Sequence, residues 1–215
     1  MKKLHIIGAG GLAKEILSYI IGEENKRYQI IGCWAENQFN NDKYAQFYSG
    51  NFDKFKKEYN CEEYVLMAVA NSKIRRKIIE ETLVNLDINY ENYIHPSCNV
   101  STFSDIGKGC ILAPQTIICA DAVLKDYNFL NTECVVGHDT TLGDYCTLFP
   151  KVEICGDCFI ETGCTFGIGS IVTPGVIMKE NSKLDAMSVL RENYNMTAMF
   201  VGNPAKPVRV YKDYG

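Results

Sequence analysis

Histidine is scarce in this chain, three among 215 residues. One of them, His138, stands beside an acid in the run VVGHDTTLGDY, residues 135 to 145. Imidazole is the side chain whose ordinary pKa lets it take up and release a proton near neutral pH. A neighbouring carboxylate such as Asp139 can fix its tautomer and support the imidazolium. The pair therefore reads as a general base with its orienting acid.

A second chemical element lies at the front. In LHIIGAG (4–10) an apolar run feeds into glycines. Gly8, Gly10 and Ala13 fit G-x-G-x-x-G/A ahead of a helical pattern, GLAKEILSYIIG. Such a turn brings backbone N–H groups to a phosphate at a helix N-terminus. A second strand, YQIIGCW, ends at Trp34, and Glu36 just beyond it stands where a carboxylate accepts hydrogen bonds from a ribose.

Around these residues the pattern supplies a third strand, YVLMAVA (64–70), and a helix, SKIRRKIIEETLV (72–84). Only one mononucleotide half fits before the pattern changes, where a dinucleotide fold needs two. The expected ligand is a single nucleotide or a nucleotide-linked group.

From Ile94 a different clock starts. Steps of six meet a large apolar residue seventeen times without a gap, through Val100, Ile106 and Leu112 to Val136, Leu142 and finally Leu190. Four residues after most of these comes a small residue. Helices repeat at 3.6 and half-buried strands at 2. Period six means short strands and tight turns wound into a solenoid, three hexapeptides to an 18-residue coil. His138, two residues past Val136, then emerges at a corner of a coil. Stacking by 18 puts Ala120 and Gly156 on its two sides, both small, with space for a substrate beside the ring.

The composition removes other classes. The net charge of -4 gives nucleic acid no electrostatic footprint. No apolar run nears the roughly 20 residues needed to cross a bilayer. At the N-terminus, glycines and then Lys14 and Glu15 break the apolar run too early for a signal peptide. The expectation is a soluble, cytoplasmic protein with no membrane insertion. Of ten cysteines, six (Cys98, Cys110, Cys134, Cys146, Cys158 and Cys164) fall on the small interior position, where a thiol packs as a compact apolar group. Cys155 and Cys158 have C-x-x-C spacing but lie at different phases of the repeat, and no second C-x-x-C completes a four-ligand site. His5 and His95 read as structural, and no tight metal site is expected.

The whole chain resembles a known family. IIGAGGLAKEI at the front, AVANSKIRRKI in the middle, IHPSC opening the repeats, NTECVVGHDTTLGDY at the site and FVGNPAKPV at the end carry the resemblance. They are similar to bacterial sugar O- and N-acyltransferases such as the bacillosamine and perosamine N-acetyltransferases and the sialic acid O-acetyltransferases. The resemblance implies a Rossmann-like nucleotide-sugar-binding domain over residues 1–92. It implies a left-handed parallel β-helix with a C-terminal tail over 93–215, and a homotrimer with active sites between subunits. It implies acetyl-CoA as acyl donor and a nucleotide-linked amino sugar, a 4-amino-4,6-dideoxyhexose, as acceptor for surface-glycan biosynthesis.

By the same resemblance His138 is the catalytic base and Asp139 its acidic neighbour. Gly8, Ala9, Gly10, Gly11, Glu36, Asn71 and Asn131 are expected on the substrate. Thr147, Gly156, Gly202, Pro204, Ala205 and Lys206 are expected on CoA. The chain departs from the family at Ala35, where many relatives have a first acid before the one matched by Glu36. It departs at Thr147, where some carry a second histidine, and at Glu161, usually glycine. The other readings are an O-acetyltransferase of a sialic acid or another sugar hydroxyl, and a non-catalytic, nucleotide-sensing trimeric scaffold.

Overall fold

A computed structural model describes residues 1–211. The chain divides into two compact units, Met1–Asn92 and Tyr93–Gly215. The first opens with β1 (Lys2–Ile7), whose last four residues are buried, and α1 (Gly11–Gly22), which buries Leu12, Ala13, Ile16, Leu17 and Ile20 along one face. There follow β2 (Tyr28–Trp34), α2 (Asp42–Ala45), β3 (Tyr48–Gly50), α3 (Phe52–Glu58) and β4 (Tyr64–Met67). The unit ends with α4 (Ser72–Lys77), a π-helical turn (Ile78–Thr82) and β5 (Asn89–Tyr90).

All five strands are parallel, in the order β3-β2-β1-β4-β5. The order reverses at β1, and in such sheets ligands bind at the carboxyl ends beside the reversal. Here the expectation of a single mononucleotide half is corrected. Strands lie on both sides of the switch, the second half being cut to a four-residue β4 and a two-residue β5. The pattern marks β4, but β5, at two residues, is too short to register as a hydrophobic pattern. The third strand also stops at Met67 rather than at residue 70, although Ala68 N–H still donates to the Ile7 carbonyl at 2.9 Å. The helix from Ser72 reaches Thr82, but its last turn is widened to a π-turn.

The second unit is a left-handed parallel β-helix. Seventeen two-residue strands run from Tyr93–Ile94 to Val189–Leu190, each ending on a residue of the six-residue clock. They stack into three parallel sheets with an 18-residue register, so that Val135 pairs with Ile117 on one side and Glu153 on the other. Fourteen of the seventeen apolar residues are buried; Ile94, Val100 and Ile106, in the first coil, are half-buried. The far end is covered by an antiparallel hairpin, Ala198–Gly202 with Ala205–Val210, whose Phe200 pairs with Leu184 and is buried.

Corners carry the strain. Every sixth residue from Gly109 to Met187 has φ between +54° and +76°, and ten of these fourteen are not glycine. A side chain in this conformation costs about 1–2 kcal/mol. Backbone bonds to the preceding coil hold it there, as in Asp139 N–H to the Ala120 carbonyl (3.2 Å) and Asp157 N–H to the His138 carbonyl (2.9 Å).

The six interior cysteines are free thiols. Their role is not only apolar packing, which corrects the sequence reading. Each donates to a carbonyl fifteen residues ahead, for example Cys134 to Phe149 at 3.2 Å and Cys164 to Lys179 at 3.2 Å. Thr116 and Thr140 make the same bond, to Asn131 (3.2 Å) and Cys155 (2.7 Å). A corner carbonyl facing the core must be satisfied, and a small donor does it. Burial pushes the Cys134 thiol up to about 12 and raises Cys155 and Cys158 as well, the reverse of what a reactive thiolate requires.

Candidate active site

In the first unit the glycine-rich turn and the ends of β2 and β4 enclose a cavity of about 450 Å³. It is lined by Gly8, Ala9, Gly10, Gly11 and Leu12 on one side, Ala35, Glu36, Asn37 and Gln38 on another, and Ala68, Val69 and Ala70 behind. That volume suits a small ligand. The glycines divide by purpose. Gly8 has φ +132°, and a methyl group there would sit 2.5 Å from the Ala68 carbonyl oxygen, so the fold itself requires glycine. At Gly10 and Gly11 a methyl group would meet nothing within 4 Å. Those two leave open space in front of α1.

Gly10 caps α1 without a side-chain hydrogen bond, and no acid occupies the first turn. Uncapped N–H groups and the positive end of the helix dipole face the opening, an arrangement that attracts an anion. The lining holds no lysine or arginine, so a phosphate there depends on these N–H groups. Glu36 is in the lining, whereas Asn71 is not. Its Oδ1 accepts from Ile74 N–H at 3.1 Å and caps α4.

His5 is buried and structural. Its Nδ1 accepts from Trp34 Nε1–H at 3.0 Å, which leaves Nε2–H to donate to Glu63 at 2.6 Å. His95 closes a local turn, with Ser97 N–H 3.1 Å from its Nδ1.

On the β-helix, His138 and Asp139 occupy one corner. The ring's Nδ1 lies 2.7 Å from Asp139 Oδ2, and both side chains are more than half exposed. The hydrogen bond to Asp139 raises the imidazole above its ordinary 6.5, with further help from the charges of Asp139 and Asp157. With Nδ1–H donated to the acid, Nε2 is the free basic atom.

The expectation of space on both sides of the ring is corrected at Gly156. A methyl group there would lie 2.5 Å from His138 Nε2 and 2.6 Å from Cε1, so the imidazole itself fills the place a side chain would take. Thr147 does not offer a contact for CoA in this chain: it is 1% exposed, closed off from solvent. Asn131 stands at the preceding corner, where its Oδ1 accepts from Thr132 N–H at 2.8 Å. Gly202, Pro204, Ala205 and Lys206 form the turn and start of the terminal hairpin. Ala205 is buried there, and Lys206 is paired with Glu192 at 2.9 Å. Glu161, without a role in the sequence reading, joins two coils. It binds Lys179 at 2.8 Å and accepts from Glu180 N–H at 3.0 Å, bonds that hold its carboxyl below the ordinary value against the opposing effect of partial burial.

Sequence reasoning missed Asp157. It sits one coil below Asp139 and presents a carboxylate to the same ring; the stacking by 18 that located Gly156 could have found it. His138, Asp139 and Asp157 offer one atom each within 4.8 Å of one another, the one such trio among the described residues. All three are exposed and Nδ1 is engaged by Asp139, so nothing there points to a resident ion.

Comparison with known proteins gives the context of this site. Residues 3–82 match the PglD N-terminal domain family. The acetyltransferase domain of PglB from Neisseria gonorrhoeae, solved in complex with acetyl coenzyme A, has a similar structure. It is 26% identical at a TM-score of 0.83, over 96% of this chain and 99% of that one. PerB from Caulobacter crescentus, solved with CoA and GDP-perosamine, is 24% identical at a TM-score of 0.82, over 96% and 97% of the two chains. WeeI from Acinetobacter baumannii shares the fold at 19% identity and a TM-score of 0.82, over 97% and 100%. No curated protein matches the sequence closely enough to count as a relative.

Fold and likeness together place a PglD-type N-terminal domain ahead of a hexapeptide-repeat β-helix, the architecture of the gonococcal acetyltransferase domain. Among the described residues no helix is long and apolar enough to cross a membrane.

Proposed function

We propose that this protein is an acetyl-CoA-dependent N-acetyltransferase of a nucleotide-linked amino sugar, a 4-amino-4,6-dideoxyhexose destined for surface glycan. It works in the cytoplasm as a homotrimer with active sites between subunits. The observation that carries the reading is the His138–Asp139 pair at a β-helix corner, Nδ1 bound to the acid and Nε2 left to accept a proton. The similar gonococcal domain was solved with acetyl coenzyme A, which supports the same donor here. The cavity before α1 supports a nucleotide: N–H groups for the phosphates and Glu36 for the ribose.

In the reaction the neutral amine of the sugar attacks the thioester carbonyl. The C–N bond forms as the C–S bond breaks. His138 Nε2 takes the proton that the nitrogen must lose and returns it to the departing thiolate, so the products are the amide and CoA thiol. Asp139 balances the charge of the transient imidazolium. Positioned proton transfer of this kind contributes about 10²- to 10⁴-fold, and holding the amine in line with the thioester contributes comparably.

Thiol release from acetyl-CoA in the presence of nucleotide-linked and free amino sugars tests the reading. Turnover that requires the nucleotide supports it. Equal turnover of a free amino sugar, or acetylation of a sialic acid hydroxyl instead, contradicts it.

A further inference from the structure

The histidine corner is completed from the coil below, by a glycine and an acid whose placement the packing of that coil does not itself require. A methyl group at position 156 would have the His138 ring as all three of its nearest neighbours: Nε2 at 2.5 Å, Cε1 at 2.6 Å and Cδ2 at 3.0 Å. Gly156 is thus not demanded by a close backbone approach, in contrast to Gly137, whose added methyl would strike the backbone of Cys155 and Gly156. Its lack of a side chain serves the imidazole. The next residue, Asp157, is tied to the histidine through its own N–H on the His138 carbonyl at 2.9 Å. Its carboxylate lies within 4.8 Å of both the ring and the Asp139 carboxylate.

Two like charges stacked one coil apart repel unless a cation stands between them. Asp157 also takes left-handed backbone, φ +57°, which glycine or asparagine would fill without adding that repulsion. The carboxylate therefore carries a cost at this corner, and the group that offsets it is the imidazolium. The titratable groups around the ring are Asp139 on its own corner and Asp157 below. The coil above offers Ala120 in the column of the histidine, with Asp121 and Cys119 in the columns on either side, and Cys155 precedes Gly156 in the coil below.

Resting on the acyltransferase reading given above, we propose that Gly156 and Asp157 are positioning residues of the base. Gly156 seats the imidazole so that Nδ1 meets Asp139, and Asp157 is the second carboxylate that holds the ring's charge.

The test is an NMR pH titration of the His138 ring, assigned by its loss in His138→Ala, in the wild type, Gly156→Ala and Asp157→Asn, with kinetics alongside. Asp157→Asn should lower the midpoint by about half a pH unit, the size expected for charges roughly 5 Å apart in water. Gly156→Ala should displace the ring from Asp139, bring the midpoint down toward 6.5 and cut kcat at least tenfold, leaving the KM for acetyl-CoA in place. The double variant Gly156→Ala/His138→Ala should melt with His138→Ala, because the ring is the obstacle to the new methyl. An unmoved midpoint in Asp157→Asn overturns the role of that acid. A raised KM for acetyl-CoA with an unmoved midpoint in Gly156→Ala overturns the seat. The titration needs no turnover, so it stands apart from any failure of the acetyltransferase assignment.

Discussion

His138 and Asp139 are neighbours in sequence, yet their side chains meet at 2.7 Å because Asp139 adopts left-handed backbone at a coil corner, φ +58°. The turn folds the carboxylate back onto Nδ1, an approach that extended backbone, which sends successive side chains to opposite faces, does not make. The β-helix thereby builds an acid–base pair from two consecutive residues.

The pair sets a pH dependence. Asp139 holds the imidazole above 6.5, and a base works only when neutral, so activity should fall as pH drops through a midpoint above 6.5. Asp139→Asn removes the charge and should move that midpoint down toward 6.5, with a lower plateau from the lost tautomer. A rate profile over pH 5 to 9 reads both effects. A raised histidine pKa also favours the folded state at low pH, an advantage lost as pH rises through the midpoint. Exposure keeps that term small, and the thermal midpoint should stay level across the same window.

The glycines of the first turn should separate by assay. Gly8→Ala forces a methyl group to 2.5 Å from the Ala68 oxygen at φ +132° and should cost about 2 kcal/mol or more in thermal unfolding. Gly10→Ala meets nothing and should melt with the wild type. If a diphosphate approaches the helix there, calorimetry should nevertheless show weaker binding of the nucleotide sugar to Gly10→Ala.

The solenoid predicts a gradient of sensitivity. Leu142→Ala opens a cavity in a fully buried central coil and should cost about 2–5 kcal/mol. Val100→Ala, in the half-buried first coil, should cost clearly less. Chemical denaturation of the two variants measures the difference.

Much of this was legible in the residues. The six-residue clock gave the β-helix because every inward position had to be apolar, and Leu142 or Ile154 could not break step without leaving a hole. The Gly8–Gly11 turn was legible because its chemistry is local. The edge strand β5 was not: it is Asn89–Tyr90 alone, and two residues carry no periodicity. The seating of His138 on Gly156 was half legible. Stacking by 18 brought the two together, but whether the space held a ligand or the ring depends on a side-chain rotamer. Asn71 and Thr147 show the limit of carrying roles over by motif. One caps a helix and the other is sealed in packing, and neither fact is written in its local sequence.

The central claim is tested most directly by following thiol release from acetyl-CoA against dTDP-, UDP- and GDP-linked 4-amino-4,6-dideoxyhexoses, with His138→Ala beside the wild type. The predicted result is turnover with one of these sugars, lowered about 10²- to 10⁴-fold in the variant near neutral pH. Folded wild-type protein that releases no thiol with any of them, or a His138→Ala variant as fast as the wild type, would contradict it.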